Sequence, residues 1–226
     1  MSRMTKLIAL LVFLAAAGSR ADTSVVFNEI MYHPWTNEPA MEWVELYNQM
    51  AVDVDVSGWA LDGGVTYSFP SNTIVHGRGF LVVAVSPGTL ITATGLTNVL
   101  GPFSGRLSNS GEALQLRNNS GRVVDEVSYG VDGDWPVAPD GSGVSLAKLD
   151  HDTASGPAEN WSFSEQIGGT PGAELTAQST MTSPTLVFNE VSASTNTAFW
   201  VELMNRCTNL LSLDGCVLAL AGSGTN

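Results

Sequence analysis

Ala113-Leu114-Gln115-Leu116-Arg117-Asn118-Asn119-Ser120-Gly121-Arg122-Val123-Val124-Asp125-Glu126-Val127-Ser128 reads as two strands closed by a tight turn. Apolar and polar residues alternate on both sides. The Asn-Asn-Ser-Gly centre supplies residues that tolerate the left-handed backbone of a hairpin turn. Outward from this hairpin the same signal recurs at Val25–Ile30, Glu42–Asn48, Gly58–Leu61, Thr66–Phe69, Phe80–Val85 and Ser145–Leu149. Turn-forming runs separate most of these segments: Asp62-Gly63-Gly64, His76-Gly77-Arg78-Gly79 and Asn109-Ser110-Gly111. No window of helical length shows a clear apolar period of 3.6. Many short strands with regular turns predict an all-β sandwich or barrel.

An internal repeat sets the domain plan. Val25-Val26-Phe27-Asn28-Glu29-Ile30 returns as Leu186-Val187-Phe188-Asn189-Glu190-Val191, and Trp43-Val44-Glu45-Leu46-Tyr47-Asn48 returns as Trp200-Val201-Glu202-Leu203-Met204-Asn205. Val56-Ser57-Gly58 returns as Leu213-Asp214-Gly215. The first pair is offset by 161 residues and the others by 157, so the length change falls in the loop after Ile30. Loops tolerate such changes better than strands do. A unit of this size is a domain, which predicts tandem modules: residues 22–172, a Ser/Thr-rich linker 173–184, and a second copy from 185 to 226. That second copy is expected to be truncated.

The first residues read as an export signal. Arg3 and Lys6 precede the apolar run Leu7–Gly18, and Ser19 and Ala21 are the small residues of a cleavage site after Ala21. The run is short for a membrane span, which needs roughly 20 residues. The mature chain is therefore expected to be secreted or displayed at the cell surface, with no transmembrane segment. Loss of Arg3, Lys6 and Arg20 takes the net charge from −13 to −16. A surface this acidic repels nucleic acid and anionic membranes and suits a cation or a basic partner.

The ordered motifs FNEI, EWVELYN, VDVSGWALDGG, Tyr67-Ser68-Phe69-Pro70 and Gly79-Phe80-Leu81-Val82-Val83-Ala84 resemble the lamin-tail domain family, in the form found in secreted bacterial proteins. Gly111–Leu116, Val124–Tyr129, Trp135, Gly141–Leu146, Asn160-Trp161 and Gly169-Thr170-Pro171-Gly172 fit the same pattern. The resemblance implies an immunoglobulin-like β-sandwich. It does not imply one activity, because such domains are interaction modules in some proteins and appendages of secreted hydrolases or kinase-like proteins in others. No heptad run is present, so the lamin rod and its nuclear role are not carried over.

The candidate chemistry is sparse. No G-x-S-x-G, H-E-x-x-H or phosphate loop occurs. Glu29 and Glu45, echoed by Glu190 and Glu202, are paired carboxylates of the kind that does acid–base work, but no other catalytic group accompanies them. They are expected to accept structural hydrogen bonds, and the chain is expected not to be an enzyme. Trp35 and Trp135 lie in Pro-bearing loops and are the candidate contact residues for a protein, cell-surface or extracellular-polymer partner, a carbohydrate included. Asp132, Asp134 and Asp140 are candidate calcium ligands, and Asp150-His151-Asp152 is a further acidic loop cluster, although no EF-hand spacing is present. No other cofactor is expected. Cys207 and Cys216 align with Met50 and Trp59, and strands running side by side there would allow a disulfide in an exported chain. Mass spectrometry of exported protein should find Asp22 at the N-terminus; an intact Met1 would overturn the export reading.

Overall fold

β2 (Trp43–Asn48) is buried along its whole length, which a strand achieves only inside a sheet covered on both faces. The computed structural model describes residues 24–36, 38–175, 185–192, 198–213, 216 and 218. The expected leader 1–21, most of the expected linker 173–184, and Asp214 and Gly215 of the repeat lie outside them. Beside β2 run β1 (Val25–Met31) and β7 (Phe80–Ala84). With β12 (Leu146–Lys148), β13 (Trp161–Phe163) and the short β8 (Val99–Leu100), they form a six-stranded sheet in the order β13-β12-β1-β2-β7-β8. All its pairs are antiparallel except β7 with β8.

The opposing sheet has the order β11-β10-β4-β5-β9. Its strands are β4 (Ala60–Gly63), β5 (Val65–Ser68), β9 (Ser104–Gly105), β10 (Glu112–Arg117) and β11 (Val123–Tyr129). A two-stranded ribbon of β3 (Val54–Asp55) and β6 (Ile74–Val75) adds to these. Leu114 pairs with Val127 and Leu116 with Asp125, so the hairpin read first from the sequence is the β10–β11 pair. Phe27, Ile30, Val44, Leu46, Leu81 and Leu146 from the larger sheet pack on Leu61, Leu114, Leu116 and Val127 from the smaller one. The all-β, immunoglobulin-like expectation is met.

Simple alternation would place Phe27 and Ile30 on opposite faces. They share the core face because the β1–β2 register shifts between Phe27 and Glu29, leaving Asn28 as a bulge. Past the bulge, Glu29 faces Glu45 and Met31 faces Trp43 across the strands on the outer side. That outer side is also covered. Met31, Trp43, Val82 and Ala84 pack with Leu90 of a helix, α1 (Pro87–Thr94). The sequence reading found no helix because α1 has eight residues and buries only Leu90, too little to show a period. Its ends are locally encoded: Pro near the start and Gly95 with φ 76° at the C-cap.

A strap, Gly169–Gly172, closes the rest of the outer face. A Cβ on Gly169 would meet Trp43 Cζ2 at 2.6 Å and Glu29 Oε1 at 2.8 Å, and its φ is +80°. Only glycine fits both the conformation and the contact.

The second hairpin, β14 (Leu186–Val191) with β15 (Val201–Asn205), repeats the first in detail. Its register also shifts, between Phe188 and Glu190, so Glu190 faces Glu202. Asn189 Nδ2 donates to Glu202 Oε1, as Asn28 Nδ2 does to Glu45 Oε1. Asn205 Nδ2 donates to Asn209 O at 2.8 Å, and Asn48 Nδ2 to Val52 O at 2.8 Å. Burial differs: Phe188 and Trp200 are 61% and 43% exposed, whereas Phe27 and Trp43 are 0%.

The disulfide expectation is not met. Cys207 and Cys216 are free and exposed. The first module supplies the reason: β2, which precedes the Met50 position, and β4, which follows the Trp59 position, belong to opposite sheets. In the first module, therefore, the strands flanking these two positions do not run side by side.

Gly169→Val should lower stability by about 2–4 kcal/mol, through clash and positive-φ strain. Gly156→Ala, with nothing within 4 Å of the added Cβ, should change it by less than about 0.5 kcal/mol. Urea unfolding of both variants measures this, and equal midpoints would mean the strap is not seated on the sheet.

Candidate interaction surface

The paired glutamates are sealed. Glu29 is 1% and Glu45 0% exposed. Glu29 Oε1 accepts Thr170 N at 2.7 Å and the Ser145 hydroxyl, and Oε2 accepts Thr170 Oγ1 at 2.9 Å. Glu45 Oε1 accepts Asn28 Nδ2 at 2.8 Å, and Oε2 accepts the backbone N–H of Gly172. Burial lifts the Glu29 carboxyl above its ordinary value despite those donors. Burial, then the neighbouring Glu29 charge, lifts Glu45 well above it. With every carboxylate oxygen engaged and the strap across them, the pair holds structure and reaches no substrate.

Two more buried ionisable groups are engaged in the same way. Asp125 Oδ2 accepts Phe27 N at 2.8 Å and Ser155 Oγ at 2.5 Å, tying the edge strand β11 to β1 across the sandwich. Lys148 Nζ donates to Thr153 O at 2.6 Å and lies 5.8 Å from the Trp161 ring centroid, and burial lowers its ammonium to about 8.

One end of the sandwich is built from three loops whose polar side chains reach the surface. There the β1–β2 loop (residues 32–42), the β9–β10 loop (106–111) and the β11–β12 loop (130–145) meet. His33 Nδ1 lies 2.8 Å from Asp140 Oδ1. Asn109 Nδ2 donates to Glu38 Oε1 at 2.7 Å, and Arg106 reaches Glu38 at 4.0 Å and Glu42 at 3.8 Å. Glu42 is fully buried; its Oε2 accepts Leu107 N at 2.8 Å while Oε1 has no hydrogen-bond partner. Burial pushes its carboxyl up to about 7. Tyr32 stacks on Tyr129 with centroids 4.9 Å apart, and Tyr129 Oη donates to Ser108 O at 2.9 Å.

The residues singled out from the sequence divide here. Trp35 is 65% exposed at this end. Trp135 is not a free platform: it is half-buried against the core, 6.3 Å from the Trp161 ring, with Gly130 close beneath it. Its loop position suggested exposure, but the glycine lets the indole fold inward. Asp132 and Asp134 are exposed, Asp140 is engaged by His33, and the three do not gather into a calcium site. Among the described residues the acidic group whose ligand atoms lie within 4.8 Å of one another is Asp150, His151 and Asp152, at the other end. Even there Asp152 pairs with Arg78 at 2.8 Å and His151 packs 4.2 Å from the Tyr47 ring. Sequence reasoning missed Glu38, Glu42, Arg106 and Asn109. The one available signal was a Glu immediately before the buried strand Trp43–Asn48, where an acid must find a partner.

The Glu42 carboxyl sets a pH dependence. A folded value above the unfolded one means the folded state holds the proton more tightly. Stability is then greatest below the ordinary glutamate value and falls as pH rises through about 7. The fall should amount to about 1–3 kcal/mol between about pH 4.5 and 7.5, and Glu42→Gln should reduce it while keeping the Leu107 bond. Thermal melts across that range test this; an unchanged slope in the variant would assign the dependence elsewhere.

Among the described residues, no helix is long and apolar enough to cross a membrane. A search of curated proteins finds no match. The Lamin Tail Domain family matches residues 19–131, from just before β1 through β11. With half its length in that match and the sandwich the match implies, the chain belongs to the lamin tail domain family.

Proposed function

We propose that this chain is a non-catalytic binding or scaffolding protein of the exported kind, contacting a protein or surface partner through the loop end that carries Trp35. The observation that carries this reading is the division of polar groups. The interior carboxylates Glu29, Glu45 and Asp125 are closed off by hydrogen bonds within the fold. The largest exposed aromatic of the sandwich lies outside, in a loop held at both flanks. Loops on a rigid sandwich are where binding residues concentrate. The leader-like sequence 1–21 supports export. The repeated bulge and side-chain bonds of β14–β15 support reading that hairpin as the opening of a second copy of the module.

A photo-crosslinking amino acid at position 35, compared with one at Ser120 on the opposite end, tests the surface. Adducts from position 35 in the producing cell, with few from position 120, are expected. Equal yields, or adducts from position 120 alone, would move the contact surface elsewhere.

A further inference from the structure

We propose that Trp35 is an exposed platform for an Arg or Lys side chain of a partner protein, with the carboxylates of the loops at this end of the sandwich favouring a basic segment. The inference rests on the loop-end reading above and adds the chemistry of the partner.

Trp35 differs from the other tryptophans of the sandwich. Trp43 and Trp161 are 0% and 3% exposed, and Trp59 and Trp135 pack on the core, while Trp35 is 65% exposed. It is nevertheless held. Pro34 before it is buried. Gly143 runs directly beneath, so close that a Cβ there would lie 2.8 Å from Trp35 Cβ and 3.3 Å from Ile167 Cγ2. The φ of Gly143, +85°, is one that side chains resist. The glycine brings the β11–β12 loop against the Cβ and backbone of Trp35, and Ile167 packs on the same glycine, so the root of the side chain is fixed. A rigid exposed aromatic loses little entropy on binding, which suits it to a contact surface.

The adjoining depression, bordered by Met31, Met41 and Ile167, has a volume of only 60 Å³. Small-molecule sites run to about 300–1,000 Å³. The geometry therefore fits a side chain laid across a surface, not a small ligand enclosed in a pocket.

Charge decides which side chain. Glu38 follows Trp35 on the same loop, Asp140 is bound to His33 of that loop, and Asp132 and Asp134 are exposed on the loop that carries Gly143. Glu165 is exposed two residues before Ile167. Against these five carboxylates stand Arg106, already drawn to Glu38 and Glu42, and His33, drawn to Asp140. The whole chain has 22 acidic and 9 basic residues. A cation over an indole face is stabilised by the ring quadrupole, and the acidic rim speeds its arrival. A neutral sugar could stack on the indole and donate hydroxyls to the carboxylates, but it would gain no charge attraction and its binding would not weaken with salt.

The test uses the full chain and the Trp35 indole N–H resonance, assigned by Trp35→Phe. The probes are an Arg-Gly repeat peptide, the same peptide with Gln for Arg, and chitohexaose. The Arg peptide should shift the resonance saturably and the Gln peptide should not. Raising salt from about 20 mM to about 300 mM should weaken binding several-fold. Followed by calorimetric titration, since this variant lacks the reporter indole, Trp35→Ala should weaken it by about fivefold to thirtyfold. Glu165→Gln and Asp140→Asn should each weaken it less, and circular dichroism of all three variants should match the parent. Chitohexaose shifting Trp35 while the Arg peptide does not would overturn the cation reading and leave the loop end as the binding surface. Arg-peptide binding that is indifferent to Trp35→Ala and maps to the opposite end would overturn both. Silence from all three probes would overturn the cation platform alone.

Discussion

Phe27 and Ile30 reach the same core only because Asn28 is an extra residue in β1. Without it, the side chains after position 28 would change faces, sending Ile30 outward and Glu29 and Met31 into the apolar space between the sheets. The bulge is held by its own side chain, since Asn28 Nδ2 donates to Glu45 Oε1. That bond orients one carboxylate of the outer face, and the resulting Glu29–Glu45 pair then requires donors. The strap supplies them from Thr170 and Gly172, and it can approach only because residue 169 has no side chain. Bulge, carboxyl pair and strap form one dependent series running from the first strand to the end of the module.

This dependence explains why the module extends past residue 131, where the family match ends. β12 pairs with β1 at Glu29 and Ile30, on the side of β1 opposite β2. Ser145 and Thr170 both lie beyond the match and both donate to Glu29. A chain stopped at β11 would leave β1 as an edge strand and would take from Glu29 its donors Ser145 and Thr170 and from Glu45 its donor Gly172. Burying a carboxylate without donors costs several kcal/mol, so the later strands and the strap are as much part of the fold as the strands that carry the recognisable sequence.

The strands were legible because most alternate or are solidly apolar, and because turn residues bound them. Val25–Ile30, Phe80–Val85 and Ala113–Arg117 differ from the observed strands by a residue or so at an end. The two-residue strands β3, β6, β8 and β9 and the two-turn α1, which buries only Leu90, carry no period to read. The carboxylates were expected to accept structural bonds, and they do, but their donors lie up to 141 residues away and no local pattern names them. The loop residues were the least legible. Trp35 and Trp135 look alike in sequence, each beside a proline, but Gly130 lies against the Trp135 ring whereas Gly143 meets Trp35 only at its Cβ and backbone. The disulfide expectation was conditional on the strands flanking the Met50 and Trp59 positions running side by side, and in the first module β2 and β4 belong to opposite sheets.

The hairpin β14–β15 separates what is local in this fold from what is not. It has the same shift of register as β1–β2, the same Asn-to-Glu bond, and the same Asn bond to a carbonyl four residues on. No second sheet or strap covers it among the described residues, and Phe188 and Trp200 stay exposed. The bulge is therefore encoded in the V-F-N-E sequence and its partner strand, not imposed by packing. Burial is the reverse case: in the first hairpin it is supplied by strands and a strap far along the chain. Glu29 and Glu45 are structural groups only where the strap lies across them. The sequence of a β-hairpin thus fixes where its carboxylates stand, while the chain far downstream fixes what those carboxylates do.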